Sequence, residues 1–258
     1  LSDTNILRSP NFRFVIQILF LVFFIISMDI TIDSIRVDFF DNLLKNFYFK
    51  IFFSTFCILV LVNGTNFIDG LNTLVIGYYI LVLFFTNTLL ANFSYDFFNE
   101  NLFSVLIITL LILFFLNLFE LLYLGDGGSY LLGVFFGILL IDIYNNNNSI
   151  SPYYVMNLLW YPAYENLFSI IRKISIKYSA FKPDNLHLHQ LIYLNFNGFL
   201  KKKITNPIVV NTFSGLMINL FNLIIFYLAT LNYSNTNYQL TITIFSLTCE
   251  HILKSAKK

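Results

Sequence analysis

Residues 102–119, LFSVLIITLLILFFLNLF, run for eighteen positions without a charged side chain. Wound as an α-helix at 1.5 Å per residue they reach about 27 Å, close to the ~30 Å hydrocarbon core of a bilayer. Similar runs occur on both sides of this one: Phe14–Met28, Phe47–Val62, Leu74–Ala91, Tyr130–Ile141, Tyr153–Ile171, Ile208–Leu231 and Tyr238–Ile252. Several fall short of ~20 residues, which tilt or local thinning of the bilayer accommodates. In lipid each run must be helical, because an open strand leaves backbone groups unpaired. The expected fold is therefore all-α: one polytopic helical bundle of about eight membrane helices spanning residues 1–258.

Composition agrees. The 258 residues are 57% hydrophobic and only 11% charged, with 32 phenylalanines. A soluble domain of this length needs far more charge on its surface. The net charge of +1 supplies no basic field for nucleic acid. Cys57 and Cys249 lie in apolar runs and read as small buried hydrophobes. Position 1 is Leu and no signal peptide precedes the first apolar run, so the sequence reads as a fragment whose N-terminal part is missing.

An alternating topology places Arg36, Lys45 and Lys50 on one side and the other twelve basic residues on the opposite side. The positive-inside rule makes the second side cytoplasmic. The outer stretch Asp29–Lys50 alternates as Ile-Thr-Ile-Asp-Ser-Ile-Arg-Val over 30–37, the pattern of a short extracytoplasmic hairpin. The inner segments 1–13, 63–73, 120–129 and 172–205 hold nearly every residue with chemical potential.

In Asn66-Phe67-Ile68-Asp69-Gly70-Leu71-Asn72, Asn66 and Asp69 share a helix face, and their oxygens suit a hard cation or substrate hydroxyls. The bland alternative is a polar helix end broken by Gly70. In Leu124-Gly125-Asp126-Gly127-Gly128-Ser129, the glycines let backbone amides approach a ligand where a helix begins. An Asp at an anion site makes sense with a cation between carboxylate and phosphate. A capped turn is the alternative. In Lys182-Pro183-Asp184-Asn185-Leu186-His187-Leu188-His189-Gln190, two histidines stand two apart and share a ligand only in a looped segment. Zinc is a poor match without cysteines nearby, and phosphate is a better one. Glu165 is an intramembrane acid, a functional suspect by default that could also pair with Arg172. Lys201–Lys203 reads as an anchor to anionic lipid, and His251 as interfacial.

In this order, the motifs resemble the polyprenyl-phosphate N-acetylhexosamine-1-phosphate transferase family, the superfamily of phospho-N-acetylmuramoyl-pentapeptide transferase and the WecA-type initiating transferases. Residues 66–72 resemble its Asn-x-x-Asp-Gly-x-Asp segment, and 125–129 its Gly-Asp-x-Gly-Ser segment. Residues 183–190 resemble the His-x-His-His segment of the WecA-like branch. Leu1-Ser2-Asp3 with Ser9, Pro10 and Arg13 resembles the end of its Asp-Asp motif. Ser2, Asn72 and Gln190 depart from the pattern, standing where the family has Asp, Asp and His.

The resemblance implies transfer of a HexNAc-1-phosphate from UDP-N-acetylhexosamine to undecaprenyl phosphate at the cytoplasmic face of a bacterial-type inner membrane, with Mg²⁺ or Mn²⁺ as cofactor. It implies Asp126 and, less directly, Asn66 as metal ligands. Asp3, Asp69, His187 and His189 would be the catalytic set, and Asn66, Asn72, Gly127 and Ser129 would contact substrate. Besides substrates, the expected partners are the lipid bilayer and, in an oligomer, further copies of the chain. The competing classes are a non-catalytic polyprenyl-phosphate-binding homologue and a transporter. A transporter calls for polar groups near the bilayer midplane in broken helices, whereas here they gather at helix ends on one side.

Overall fold

A computed structural model describes residues 10–90, 93, 100–175, 187–200 and 206–255. Among these the chain forms eleven helices and no strand: α1 Pro10–Met28, α2 Asp38–Leu44, α3 Phe47–Ile68, α4 Leu74–Leu90, α5 Glu100–Leu118, α6 Gly125–Asn146, α7 Pro152–Leu158, α8 Trp160–Ser175, α9 Leu188–Leu200, α10 Pro207–Leu231 and α11 Thr236–Ser255. This is a polytopic membrane helical bundle. Three helices, α3, α6 and α10, have the length and apolarity to cross a bilayer, and shorter apolar helices lie at 12–28, 74–90 and 103–118.

The stretch Tyr153–Ile171, expected as one helix, is broken at Leu159 into α7 and α8. The break leaves Pro162 in the first turn of α8, where its missing N–H costs nothing. The expected outer hairpin does not form: residues 29–37 carry no strand and lead into α2. Backbone groups that a partner strand would have paired are met by side chains instead. Ile32 N–H donates to Ser54 Oγ (2.8 Å) and Ile35 N–H to Asp41 Oδ1 (2.8 Å). Arg36 reaches across to the carbonyls of Asn148 (2.8 Å) and Ile150 (2.7 Å), tying this segment to the α6–α7 connection.

Helix α3 is the centre of the bundle and packs against α1, α6 and α8. The approach is close because glycines lie at the crossings. A Cβ on Gly133 of α6 would fall 2.8 Å from Val62 Cα, and one on Gly64 of α3 would overlap Pro162 O of α8. Small residues serve this purpose in lipid, where packing rather than water exclusion holds helices together. On the other side of the bundle, Tyr79 of α4 stacks on Phe136 of α6 with centroids 4.5 Å apart. Tyr78, Tyr154, Tyr161 and Phe226 are fully buried around them.

Lys50 stands in the first turn of α3 and Asp69 at its end, so about 28 Å of helix separates Lys50 from Asp69. The end of α3, the start of α6, the start of α1, the first half of α8 and the end of α11 come together at the opposite, basic end of the bundle.

Candidate active site

Asn66 occupies the last turn of α3 and Asp69 follows it as the C-cap residue. Gly125 opens α6 with φ +65°, the left-handed region in which glycine carries no penalty, and this places Asp126 in the first helical turn. The close α3–α6 packing then joins the two motifs. Asn66 Nδ2 donates to Asp126 Oδ1 at 3.0 Å, and Ser129 Oγ donates to Asp69 Oδ2 at 2.8 Å while lying 2.9 Å from Gly125 O. Arg13 of α1 approaches Asp126 Oδ2 to 3.9 Å.

Burial pushes the Asp69 carboxyl above its usual range and the nearby Asp126 charge adds to this, while the bonds from Ser129 and Gly125 pull the other way. Asp126 is the open member of the pair, with its side chain 54% exposed. The Gly127 backbone is exposed too, with nothing within 4 Å of where a Cβ would stand.

The imidazole segment lies directly against this cluster. A Cβ on Gly70 would meet His189 Nε2 at 2.5 Å, so the ring sits on the backbone of the residue next to Asp69. His187 lies between two rings, with centroids 5.3 Å from Phe67 and 5.7 Å from His189. Its backbone N–H is 3.3 Å from Gln190 Oε1, so Gln190 caps the start of α9. Burial brings His189 down to about 4, which makes it a neutral imidazole at neutral pH. Its Nδ1 has no hydrogen-bond partner among the described residues.

Asn72 takes a different place. It is buried, its Nδ2 donates to Glu120 Oε1 (2.9 Å), and its backbone N–H goes to Asn211 Oδ1 (2.7 Å). It thus ties the α3–α4 turn to the α5–α6 connection and to α10, and none of its bonds goes to the Asp69–Asp126 cluster. Asp3 and Ser2, and residues 183–186 of the histidine motif, lie outside the described residues.

Three contributors had no weight in the sequence reading. Arg13 appeared only as a motif flank. Glu250 and Lys254, at the end of α11, converge on Glu165: Lys254 Nζ lies 3.0 Å from Glu165 Oε1 and 2.7 Å from Glu250 Oε1. Glu165 itself pairs with His187 and Lys254. The rule that flagged Glu165 as an acid inside an apolar run applies equally to Glu250 and would have found it.

The oxygens of Asp126, Asn66 and Asp69 suit a hard divalent cation. Among the described residues no group of three or more His, Cys, Asp or Glu could enclose one. Mg²⁺ does not need such a cage, because it is usually held by one or two carboxylates and completes its shell with waters and substrate phosphates. The residues fit an open site of that kind.

No curated protein and no solved structure matches the chain. The family model described as Glycosyl transferase family 4 matches residues 3–144, a span that takes in α1 to α6 with Asn66, Asp69, Asp126 and Ser129, and stops short of Glu165 and the histidines. With more than half of its length matched, including both acidic motifs, the chain belongs to glycosyl transferase family 4.

Proposed function

We propose that this membrane glycosyl phosphotransferase moves N-acetylhexosamine-1-phosphate from a UDP-sugar to undecaprenyl or a similar polyprenyl phosphate, releasing UMP and starting a lipid-linked cell-surface glycan. The observation that carries this reading is the meeting of Asn66, Asp69, Asp126 and His189 at the basic end of the bundle. A lipid-anchored acceptor and a water-borne nucleotide sugar can meet only at such an interface, and the basic side supports the cytoplasmic face of a bacterial-type inner membrane as its location.

An apolar crevice of about 420 Å³ supports the acceptor assignment. Its lining includes Phe20, Leu21 and Phe24 of α1, Val62 of α3, and Val134 and Phe135 of α6. Its polar members, Gln17 and Tyr130, stand one helical turn beyond Arg13 and Asp126. An isoprenoid chain lying there would bring its phosphate beside the acidic cluster.

An oxygen of the acceptor phosphate forms a bond to the phosphorus that carries the sugar, and the bond from that phosphorus to the UMP oxygen breaks. A phosphate monoester has its second pKa near 6, so at neutral pH the nucleophile is mostly dianionic and needs no general base. Asp3 is then an organiser of the lipid phosphate, and Ser2 is dispensable. Asp126, with Asn66, would hold Mg²⁺ or Mn²⁺, which when bound screens the repulsion between the two anions and stabilises the departing UMP. Asp69, fixed by Ser129, positions the donor. The Gly127 amide, at the start of α6, faces the diphosphate. His187 and His189 border the phosphates from the other side.

A non-catalytic homologue that only binds polyprenyl phosphate is the second reading. The engagement of Asn72 with Glu120 instead of the acidic cluster favours it. Membranes containing the complete protein, given polyprenyl phosphate and a panel of labelled UDP-HexNAc donors, separate the two. The transferase moves label into the lipid extract, and retention of label in the aqueous phase for every donor contradicts the proposal.

A further inference from the structure

Glu165 of α8 and Glu250 and Lys254 of α11 form a buried charged cluster beside His187, and the transferase reading leaves these three residues unused. Glu165 is 1% exposed and Glu250 0%, and the Lys254 side chain is 8% exposed. Both Glu165 oxygens are engaged. Oε2 lies 2.8 Å from His187 Nδ1, and Oε1 accepts the Leu188 N–H at 2.7 Å and faces Lys254 Nζ at 3.0 Å. Lys254 is held in turn over the rings of Phe168 (4.5 Å) and Tyr164 (5.1 Å). Glu250 Oε1 lies 2.7 Å from the same Lys254 Nζ.

A carboxylate can only accept, so the His187 Nδ1 facing it must carry hydrogen. We infer that Glu165, braced by Lys254 and Glu250 of α11, is the positioning residue of the imidazole segment: it fixes His187 with its proton on Nδ1 and leaves Nε2 as the ring atom that meets the substrate. The inference rests on the transferase reading for the identity of that substrate. It stands on the geometry alone for the orientation of the ring. The backbone bond from Leu188 strengthens the case, because the same carboxylate sets both the ring and the first residue of its helix. The relation follows the general pattern in which a second group selects a histidine's tautomer. Helix α11 thereby takes part in the site without touching substrate.

The chain has three histidines, so ¹⁵N-histidine NMR of the full chain in lipid nanodiscs is tractable, with the His187 signal identified by its loss in His187→Gln. The expected result is protonation of His187 at Nδ1. Protonation at Nε2 alone overturns the inference. Transfer kinetics supply the second readout. Glu165→Gln is expected to lower kcat by at least about tenfold, the scale of a misplaced group, with a smaller change in the KM for the UDP-sugar. Lys254→Met lowers kcat in the same way and Lys254→Arg restores it, whereas equal loss in both Lys254 variants contradicts the role of the charge. If Glu165→Gln does not fold, the tautomer in the unmodified protein decides. A protein that transfers no sugar but shows the Nδ1 tautomer refutes the transferase reading and leaves the positioning intact.

Discussion

Ser129 Oγ donates to Asp69 Oδ2 at 2.8 Å across sixty residues of sequence, so the first turn of α6 holds the carboxylate that ends α3. This bond draws the Asp69 carboxyl downward against the upward push of burial. Removing it in Ser129→Ala lets the carboxyl rise further, so the acid limb of the pH–rate profile should move to higher pH. The rate at the optimum should fall by about tenfold, as expected for a lost hydrogen bond to a charged group worth ~1.5–3 kcal/mol. Ser129→Thr, which keeps the hydroxyl, should retain both features.

The α3–α8 contact makes a prediction about stability alone. A Cβ on Gly64 would overlap Pro162 O, a backbone atom that cannot swing aside. Gly64→Ala should destabilise the protein by about 1–3 kcal/mol or more, read as a lower melting temperature in detergent. Gly127→Ala meets nothing within 4 Å. It should leave the melting temperature unchanged and affect only transfer.

His189 couples folding to pH. Its folded value of about 4 lies below the 6.5 of the free side chain, with burial as the main cause. The stability it contributes is fully present above about pH 6.5 and is lost as the pH falls through 4, because the unfolded chain takes up the proton first. The full contribution is about 3 kcal/mol. His189→Gln should flatten the fall in melting temperature between pH 6.5 and 4 relative to the unmodified protein.

Asn72 serves as a strut in this structure. Its loss would leave Glu120 without its amide partner in a partly buried turn. Asn72→Ala should therefore lower stability by about 1–3 kcal/mol and leave the KM for the UDP-sugar nearly unchanged. A raised KM with unchanged stability would return Asn72 to the substrate.

The helical class and the membrane spans were legible because lipid leaves a backbone one economical choice, and the apolar runs announce it. The convergence of residues 66–69 with 125–129 was legible from topology, since alternating crossings send both to one side. Other features depended on partners far away in sequence. The alternation over 30–37 suggested a hairpin, but Ser54, Asp41 and the Arg36 bridge to the α6–α7 connection met its polar groups instead. Asn72 looked like a ligand by motif position, and only its meeting with Glu120 and Asn211 shows the strut. Lys254 read as one more basic residue at the inner boundary. Nothing local to α11 indicates that it turns inward to Glu165, 89 positions earlier.

The most direct test of the central claim is divalent-ion-dependent UMP release by the complete protein in membranes supplied with UDP-HexNAc and polyprenyl phosphate, compared with its Asp126→Ala and Ser2→Ala variants. Release that requires Mg²⁺ or Mn²⁺, stops when the ion is chelated, vanishes in Asp126→Ala and survives in Ser2→Ala is the expected result. Equal release by Asp126→Ala and the unmodified protein would contradict it.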